Sequence, residues 1–186
     1  MNTQNDKKKF FRILKKNAFF KEKIILSSGK ESDYYIDARR VTLTSEGAYL
    51  CAKIMLEMIK DESYDAIGGP TLGADPLVGA IGVLSYQEKR PLKTFIIRKI
   101  PKAYGKRQQI EGPPLPKGAQ VILIDDVATT GKAFLESIEI LSQAGIKVKK
   151  ALCLVDRQEG AREALALKEC PLISIFTAQD FLKNNK

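Results

Sequence analysis

The feature that most constrains the fold is a run of apolar residues that ends at two acids. Val121 to Ile124 are four consecutive aliphatic residues, and Asp125 and Asp126 follow directly. Such a run is typical of a strand buried on both faces, as in the centre of a parallel sheet. A helical pattern begins near Gly131. The sequence therefore predicts a central strand that stops at the acids, with its polar chemistry at the carboxyl end, where α/β sheets bind ligands.

The short segment between the acids and the helix predicts an anion-binding loop. Thr129, Thr130 and Gly131 allow the backbone to turn tightly, and the amino end of the next helix offers amide groups without helical partners. The segment is not a Walker P-loop, because Asp126 and Ala133 stand where that motif needs glycine and a hydroxyl residue. We interpret it as a loop that binds phosphate.

The two acids allow two interpretations. Neighbouring side chains of a strand point to opposite faces, so we expect Asp125 and Asp126 to play different roles unless the backbone turns between them. One would face ligand hydroxyls or a metal ion, and the other would brace the loop. The alternative is a solvated turn in which both acids only form the turn and cap the helix.

Composition limits the chemistry. The chain has 186 residues, 44% of them hydrophobic, and a formal charge of +9, which suits phosphate-rich ligands and equally suits nucleic acid. Much of the excess lies in lysines between residues 7 and 16, whose spacing predicts one solvated helix face. The chain contains no histidine, which excludes Ser-His and Cys-His catalysis and the usual zinc sites. Carboxylates, lysine, arginine, tyrosine and a hard metal ion remain.

The cysteines and the apolar runs bear on location. Cys51, Cys153 and Cys170 are scattered, so neither a disulfide framework nor a zinc site is indicated. No apolar run reaches the length of a membrane span, and the lysine-rich start lacks the apolar centre of a signal peptide. We expect a cytoplasmic protein with no membrane contact.

Apolar runs and helical patterns alternate after residue 64, which predicts a mostly parallel twisted sheet with helices on both faces. The predicted strands cover residues 65–68, 92–98, 121–124, 148–155 and 172–176, and the predicted helices cover residues 44–60, 75–87, 131–144 and 159–168, with a short final helix. Residues 1–43 predict a helix over 7–20 and a small N-terminal hood with strands at 23–26 and 34–37. We expect one domain over residues 1–186, with its α/β core in residues 44–186.

Two connections between strands predict ligand contacts. The glycine-rich turn at residues 68–76 allows close backbone approach, although tight packing explains such a turn equally well. The long polar connection at residues 98–114 carries five cations within residues 98–107. Gly105 and Gly112 provide pivots, so the segment predicts a closing lid that brings positive charge to a polyphosphate. The alternative is a flexible basic loop without a role.

A last candidate follows the strand at 148–155. Arg157 lies at the predicted carboxyl edge of the sheet, within the sequence Asp-Arg-Gln-Glu-Gly. A guanidinium there can bind a carboxylate in bidentate fashion. The alternative is a surface ion pair between Arg157 and Glu159 at the start of a helix.

Four of these segments resemble one family. Residues 121–133 resemble the phosphoribosyl pyrophosphate (PRPP) signature of type I phosphoribosyltransferases. Residues 26–37, with Ser-Gly, a later serine, paired tyrosines, Ile and Asp, resemble the hood of orotate phosphoribosyltransferases. The pattern Arg-Lys-x-x-Lys-x-x-Gly ending in Glu-Gly resembles the catalytic lid of the same enzymes, and residues 156–159 resemble their orotate-binding segment.

The resemblance implies transfer of the phosphoribosyl group from PRPP to orotate, with Mg²⁺ as cofactor. It implies a homodimer in which each lid serves the partner's site, and it makes Lys102 the catalytic residue. Asp125 and Asp126 would hold the ribose hydroxyls and, largely through PRPP and water, the metal. The implied PRPP-binding residues are Arg98, Lys99, Lys102, Tyr104, Asp125, Asp126, Val127, Ala128, Thr129, Thr130, Gly131, Lys132 and Ala133. The implied orotate-binding residues are Thr129, Arg157, Tyr34 and Tyr35.

The chain departs from this family pattern at three places. Ser27 replaces a lysine of some orotate enzymes, Leu72 and Gly73 lack a lysine that certain relatives carry in the glycine-rich turn, and Tyr104 replaces a frequent histidine. Two rival functions stay open: a phosphoribosyltransferase for another base such as a purine, and a PRPP-sensing regulator that binds nucleic acid. We expect no nucleic-acid partner, because no nucleic-acid-binding motif accompanies the charge.

Overall fold

The computed structural model describes residues 3–25, 31–100 and 109–183. The helices are α1 (Thr3–Asn17), α2 (Arg39–Thr42), α3 (Ser45–Met58), α4 (Asp75–Gln87), α5 (Lys132–Gln143), α6 (Ala161–Ala166) and α7 (Ala178–Leu182). The strands are β1 (Phe19–Phe20), β2 (Ile24–Ile25), β3 (Glu31–Ser32), β4 (Tyr35–Ile36), β5 (Ala66–Pro70), β6 (Lys93–Ile97), β7 (Ile110–Glu111), β8 (Gln120–Ala128), β9 (Lys147–Asp156) and β10 (Leu172–Thr177).

Six strands form the central sheet in the order β10-β9-β8-β5-β6-β7. All neighbours are parallel except β7, a two-residue strand that pairs antiparallel with β6 at the edge. The mostly parallel sheet predicted from the sequence is therefore confirmed, and the run at residues 121–124 lies in the inner strand β8, between β9 and β5. Strand β7 was not predicted, because two residues are too few to show a period.

The aliphatic run of β8 supplies both layers of the core. Ile122 and Ile124 are fully buried on the side of α1, α3 and α4, while Val121 and Leu123 are fully buried on the side of α5 and α6. Alternating side chains thus face opposite layers, and each aliphatic side chain buried in this way stabilises the fold by about 1.5–3 kcal/mol. This double burial explains why the strand reads as a continuous apolar run.

Strand β8 is longer than predicted. It runs through both acids to Ala128, because β9 continues beside it and pairs Asp125 with Cys153 and Ala128 with Asp156. The acids therefore lie on a strand that is hydrogen-bonded on one side, and not in the turn that follows it. The prediction that the strand stops at Asp125 was wrong.

The two predicted strands of the hood are present as β2 and β4, and each pairs with a further strand. Strand β1 pairs with β4, and β2 pairs with β3, so the predicted strands at 23–26 and 34–37 do not pair with each other. The aromatic residue Phe19 decides the register, since its ring stacks on Phe181 and Tyr34 and holds β1 near the core. The predicted Ser-Ser-Gly turn lies outside the described residues.

Helix α1 begins at Thr3 and ends at Asn17, earlier at both ends than the predicted span of 7–20. Ion pairs to α3, Lys9 with Glu46 and Lys53 with Asp6, hold its first turns. Helix α6 is shorter than the predicted span of 159–168, because the chain enters it only after Gly160, at a φ of 103°. Within the described ranges, no helix is both long and apolar enough to cross a bilayer.

Candidate active site

The loops that follow β5, β8 and β9 meet at the carboxyl edge of the sheet and enclose a cleft. Its main cavity, about 670 Å³, is bounded by the hood on one side and by these loops on the other. A second cavity of about 500 Å³ adjoins it at the amino end of α5, and Lys99, Asp125, Val127, Thr129 and Ala133 line both. The edge chosen from the sequence therefore carries a cleft large enough for a nucleotide-sized ligand.

We call residues 125–133 the phosphate loop. All nine residues line at least one of the two cavities: Asp125, Asp126, Val127, Ala128, Thr129, Thr130, Gly131, Lys132 and Ala133. Gly131 has a φ of 82°, and a Cβ there would lie 3.2 Å from Ala161 Cα, so only glycine fits where the loop turns into α5. No side chain caps α5, so the first amides of this helix lack protein partners at that cap. This arrangement suits a phosphate group and excludes the alternative in which the acids cap the helix.

The carboxylates of the two acids converge near the end of the strand. The amide of Asp126 donates to Asp125 Oδ1 at 2.9 Å, and the amide of Val127 donates to Asp126 Oδ1 at 2.7 Å. Both Oδ1 atoms also approach Gly73, where an added Cβ would lie 2.3 Å from one and 2.4 Å from the other. The two carboxylates therefore converge on one point of the cleft, and separate roles for the two acids stay a prediction.

The close acids affect each other's protonation. Burial, and then the charge of Asp126, raise the pKa of Asp125 well above its usual range. Burial also raises the pKa of Asp126, although the Val127 amide, Asp125 and the charge of Arg39 act in the opposite direction. Two buried acids with raised pKa values are stabilised by a cation or by hydroxyl groups beside them. The pair suits ribose hydroxyls and a metal ion bound to a ligand.

The loop after β5, residues 70–74, faces the same acids and is here called the glycine loop. It lies against β8, because a Cβ at Gly69 would approach the Ile124 carbonyl oxygen to 1.9 Å. Its sequence, Pro-Thr-Leu-Gly-Ala, contains no charged residue. Thr71 and Leu72 line the main cavity, and the Thr71–Leu72 peptide bond is cis. The glycine loop thus offers backbone and shape to a ligand but no charge.

Arg157 is 6% exposed and lies at the opposite end of the main cavity. Its Nε donates to Glu159 Oε1 at 2.7 Å, its Nη2 donates to Ser32 Oγ at 3.0 Å, and its guanidinium lies 4.4 Å from the ring centre of Tyr34. A guanidinium held by three partners on the cavity wall is oriented for a planar acid. The Arg157–Glu159 pair exists, but it is part of the cleft and not an exposed surface pair.

The two tyrosines of the hood take different positions. Tyr35 lines the main cavity. The ring of Tyr34 lies between Phe19, at a centroid distance of 5.8 Å, and the guanidinium of Arg157. Tyr34 therefore contacts the cation that faces the cavity, and a base could stack on its ring only by displacing one of these partners.

The predicted lid is described only at its two ends. Lys99 lines both cavities, and its charge acts on Asp125 by lowering the pKa of that carboxyl. Arg98 is exposed and lies 3.7 Å from Glu111, without lining either cavity. Lys102 and Tyr104 lie outside the described residues, and so does Ser27 in the hood.

Sequence reasoning missed two residues of the main cavity, Asp37 and Arg39. They stand at the end of the hood strand β4 and at the start of α2, on the wall opposite the glycine loop. The available signal was an acid and an arginine two positions apart, directly after a strand that was predicted to bind ligand.

Comparison with known proteins agrees with this geometry. A family model described as "Phosphoribosyl transferase domain" matches residues 44–182. An orotate phosphoribosyltransferase of Aquifex aeolicus is 39% identical over 184 residues, which cover 95% of this chain and 98% of the relative. One of Thermosynechococcus vestitus is 43% identical over 168 residues, covering 90% and 88% of the two chains.

The chain belongs to the orotate phosphoribosyltransferase family.

Solved structures agree at the level of the fold. The Mycobacterium tuberculosis orotate phosphoribosyltransferase in complex with PRPP superposes with a TM-score of 0.79 at 30% identity, covering 96% of this chain and 99% of that one. An adenine phosphoribosyltransferase of Leishmania tarentolae, at 18% identity and a TM-score of 0.65, shares the fold alone. The predicted family, fold class and enzyme class, a pentosyltransferase, are confirmed. The predicted site residues, and the division of the chain at residue 44, stay predictions.

Proposed function

We propose that this member of the orotate phosphoribosyltransferase family transfers the 5-phosphoribosyl group of PRPP to orotate, giving orotidine 5′-monophosphate and pyrophosphate. One observation carries the proposal: the oriented guanidinium of Arg157 and the paired acids of the phosphate loop line one cavity of about 670 Å³. A site for a planar carboxylate and a site for a sugar phosphate thus lie at the two ends of a single cleft.

Each substrate group has matching protein groups. The 5′-phosphate binds the amides and hydroxyls of residues 129–133 at the start of α5, and the ribose hydroxyls bind Asp125 and Asp126. The orotate carboxylate binds Arg157, with Thr129 and Tyr35 beside the ring. Tyr34 acts through its contact with Arg157. This order places the ribose C1 atom between the base and the glycine loop.

The reaction is a displacement at that carbon. Orotate N1 attacks C1, the bond from C1 to the pyrophosphate oxygen breaks, and positive charge develops on the ribose in an oxocarbenium-like state. The proton on N1 passes to water or to the departing pyrophosphate, so no histidine base is required, which agrees with a chain that lacks histidine. The main demand is charge neutralisation of the leaving pyrophosphate. Lys102, Lys99 and Arg98 meet that demand in the proposed mechanism, with Lys102 as the catalytic residue and Tyr104 as a hydrogen-bond donor to phosphate.

Magnesium fits the acids of the cleft as a shared ligand. Among the described residues, no group of three or more His, Cys, Asp or Glu side chains could hold a metal ion. Asp125 and Asp126 alone would therefore contribute the protein oxygens, with PRPP and water completing the shell, which is how Mg²⁺ usually binds with phosphate substrates. The ion would withdraw negative charge from the pyrophosphate. The described residues of the cleft would position the ribose for attack at C1.

We propose a homodimer in which the lid of one chain serves the site of its partner. Exposed apolar side chains on the glycine loop and on α4 support an interface there: Leu72 is 65% exposed, and Val83 and Tyr86 in the second half of α4 are 64% and 76% exposed. Covering these side chains would remove apolar surface from water. A cytoplasmic location is proposed as well, since Cys51, Cys153 and Cys170 are free and buried. We propose no membrane and no nucleic-acid partner.

The experiment is loss of orotate absorbance when PRPP and MgCl₂ are added to the purified protein. We expect turnover with orotate and none with adenine or hypoxanthine, measured in parallel by pyrophosphate release. Purine turnover would support the rival base, and salt-dependent nucleic-acid binding without any turnover would support the regulator instead.

Arg157→Ala tests the assignment of the base site. The variant should raise KM for orotate by roughly 10²-fold and change KM for PRPP only slightly, because a bidentate charged contact contributes about 1.5–3 kcal/mol. Arg157→Lys keeps the charge without the planar guanidinium, so its KM for orotate should lie between those of Arg157→Ala and the wild type. Equal effects on both substrates would contradict Arg157 as the orotate anchor.

A further inference from the structure

The part of the cleft that must receive the pyrophosphate is lined by three acids. With the 5′-phosphate at residues 129–133 and the ribose hydroxyls at Asp125 and Asp126, the C1 substituent of PRPP extends away from the phosphate loop. We expect it to enter the part of the main cavity that the glycine loop and the hood line. The acids Asp37, Asp125 and Asp126 line this cavity, and Lys99 at the start of the predicted lid lines it too. A pyrophosphate brings several further negative charges, so more positive charge than that of Lys99 is required there.

The glycine loop cannot supply this charge. None of its five residues is charged. Gly73, the residue closest to the acids, has no space for a side chain unless the acids move, since a Cβ would lie within 2.4 Å of both carboxylates. The positive charge must therefore come from a different segment.

Arg39 lies on the opposite wall, at the start of α2, and lines the same cavity as Leu72, Gly73 and Asp126. Its Nε donates to Asp37 Oδ1 at 3.3 Å, which orients the guanidinium. No described residue accepts a hydrogen bond from its two η nitrogens at standard geometry. The side chain is 43% exposed, so these donors are accessible to a ligand. Arg39 is also close enough to Asp126 for its charge to act on that carboxyl.

The neighbouring arginine provides a contrast. Arg40 is exposed, its guanidinium lies 4.8 Å from the ring centre of Phe20, and it does not line the cavity. Two consecutive arginines thus have different surroundings: one lies on the hood surface, and the other faces the cleft with its outer nitrogens accessible.

We propose that Arg39, oriented by Asp37, binds the diphosphate group of PRPP and the pyrophosphate product. It supplies from the hood the positive charge that the glycine loop lacks. This assignment rests on the proposed function, and it adds a binding residue whose effect is confined to the diphosphate end of the substrate.

The two products separate this role from a general one, because pyrophosphate contains the diphosphate group and orotidine 5′-monophosphate does not. Titration calorimetry with MgCl₂ would measure the Kd of each product for the wild type, Arg39→Gln, Arg39→Lys and Arg40→Gln. Arg39→Gln should weaken pyrophosphate binding roughly 10- to 100-fold, the effect of losing about 1.5–3 kcal/mol of charge-assisted hydrogen bonding. The Kd of orotidine 5′-monophosphate should stay within about twofold.

Arg39→Lys should recover part of the pyrophosphate affinity, and Arg40→Gln, which removes the same charge one residue away, should match the wild type. Unchanged pyrophosphate affinity in Arg39→Gln would overturn the proposal. Equal weakening of both products would also overturn it, because Arg39 would then support the cleft as a whole. A wild type that binds neither product and turns over no orotate would instead refute the proposed function itself.

Discussion

The phosphate loop and the glycine loop leave adjacent parallel strands, β8 and β5, at the same edge of the sheet, and each leads into a helix. Their chemistry differs. The phosphate loop contains two acids, two threonines and a lysine, whereas the glycine loop contains no charged residue. The phosphate loop keeps its acids on a paired strand, and the glycine loop places Gly73 against them.

This difference indicates that the two halves of the cleft bind different parts of PRPP. The phosphate loop brings its own amides, hydroxyls and carboxylates to the sugar phosphate, so that half of the site is complete within one segment. The glycine loop offers only shape, so in the proposed mechanism the diphosphate half depends on charges from other segments: Arg39 in the hood, and Arg98, Lys99 and Lys102 in the predicted lid. Substitutions in the second half should therefore act through pyrophosphate.

The largest effect should come from the lid. Lys102→Ala should lower kcat by roughly 10²- to 10³-fold at unchanged Tm, because the proposed mechanism loses one charge that neutralises the leaving group. Lys117→Ala, which removes an exposed lysine near Gly145, is the control. Steady-state kinetics would measure both. Unchanged turnover would remove Lys102 from the mechanism and leave Arg39, Lys99 and Arg98 to neutralise the pyrophosphate.

The same variant tests whether the charge comes from the partner chain. Mixing Lys102→Ala with Arg157→Ala should restore turnover, because a mixed dimer has one site with an intact Arg157 and an intact lid from its partner. If the mixture is no more active than the sum of the two variants, each lid serves its own chain.

An intermediate effect should follow from filling the space beside the acids. Gly73→Ala should raise KM for PRPP about 10-fold, because its Cβ would push into both carboxylates of the phosphate loop. The control is Gly82→Ala within α4, where a Cβ would make only ordinary contacts with Thr94 at 3.6 Å. That change should leave KM unaltered and raise the stability by about 0.5–1 kcal/mol, as for alanine in a helix. Kinetics and thermal unfolding of both variants would show whether the effect comes from contact between the two loops or from replacing a glycine in general.

The phosphate loop could be predicted from the sequence because its information is local. An aliphatic run, two acids and a Thr-Thr-Gly segment follow one another, so composition and period suffice to place the strand, the loop and the helix. Even there the sequence did not show that the carboxylates of Asp125 and Asp126 converge, since this depends on each side chain folding back onto the next amide. Strand alternation alone does not contain that information.

The diphosphate half could not be predicted in the same way, because its parts come from distant segments. Arg39 and Gly73 are 34 positions apart, and their shared cavity exists only once the hood packs across the sheet edge. The hood register also depends on tertiary contacts, such as Phe19 with Phe181, that no local pattern shows. The glycine of the uncharged loop can be recognised in the sequence. Nothing in the loop indicates which other segment supplies the positive charge.

The smallest effect concerns stability. It tests whether the buried acids of the phosphate loop lower the free energy of unfolding. Burial, and then the charge of Asp126, raise the pKa of Asp125 in the folded state above its unfolded value. The folded protein therefore binds this proton more tightly, so the associated stability is fully present below the unfolded pKa and is lost as the pH rises through the folded pKa. Asp125→Asn removes this loss while its amide oxygen can still accept from the Asp126 amide.

The Tm of Asp125→Asn should accordingly exceed that of the wild type by a few degrees near neutral pH, and the difference should shrink towards acid pH. Turnover should fall, because the ribose hydroxyls and the metal ion lose a carboxylate. Asp61→Asn, at an exposed aspartate, should not change the Tm. A Tm for Asp125→Asn at or below that of the wild type at every pH would mean that the acid pair is stabilised in the folded protein. The charges of the phosphate loop would then stabilise the fold. The absence of charge in the glycine loop would in that case follow from its packing against β8, and not from a need to limit repulsion.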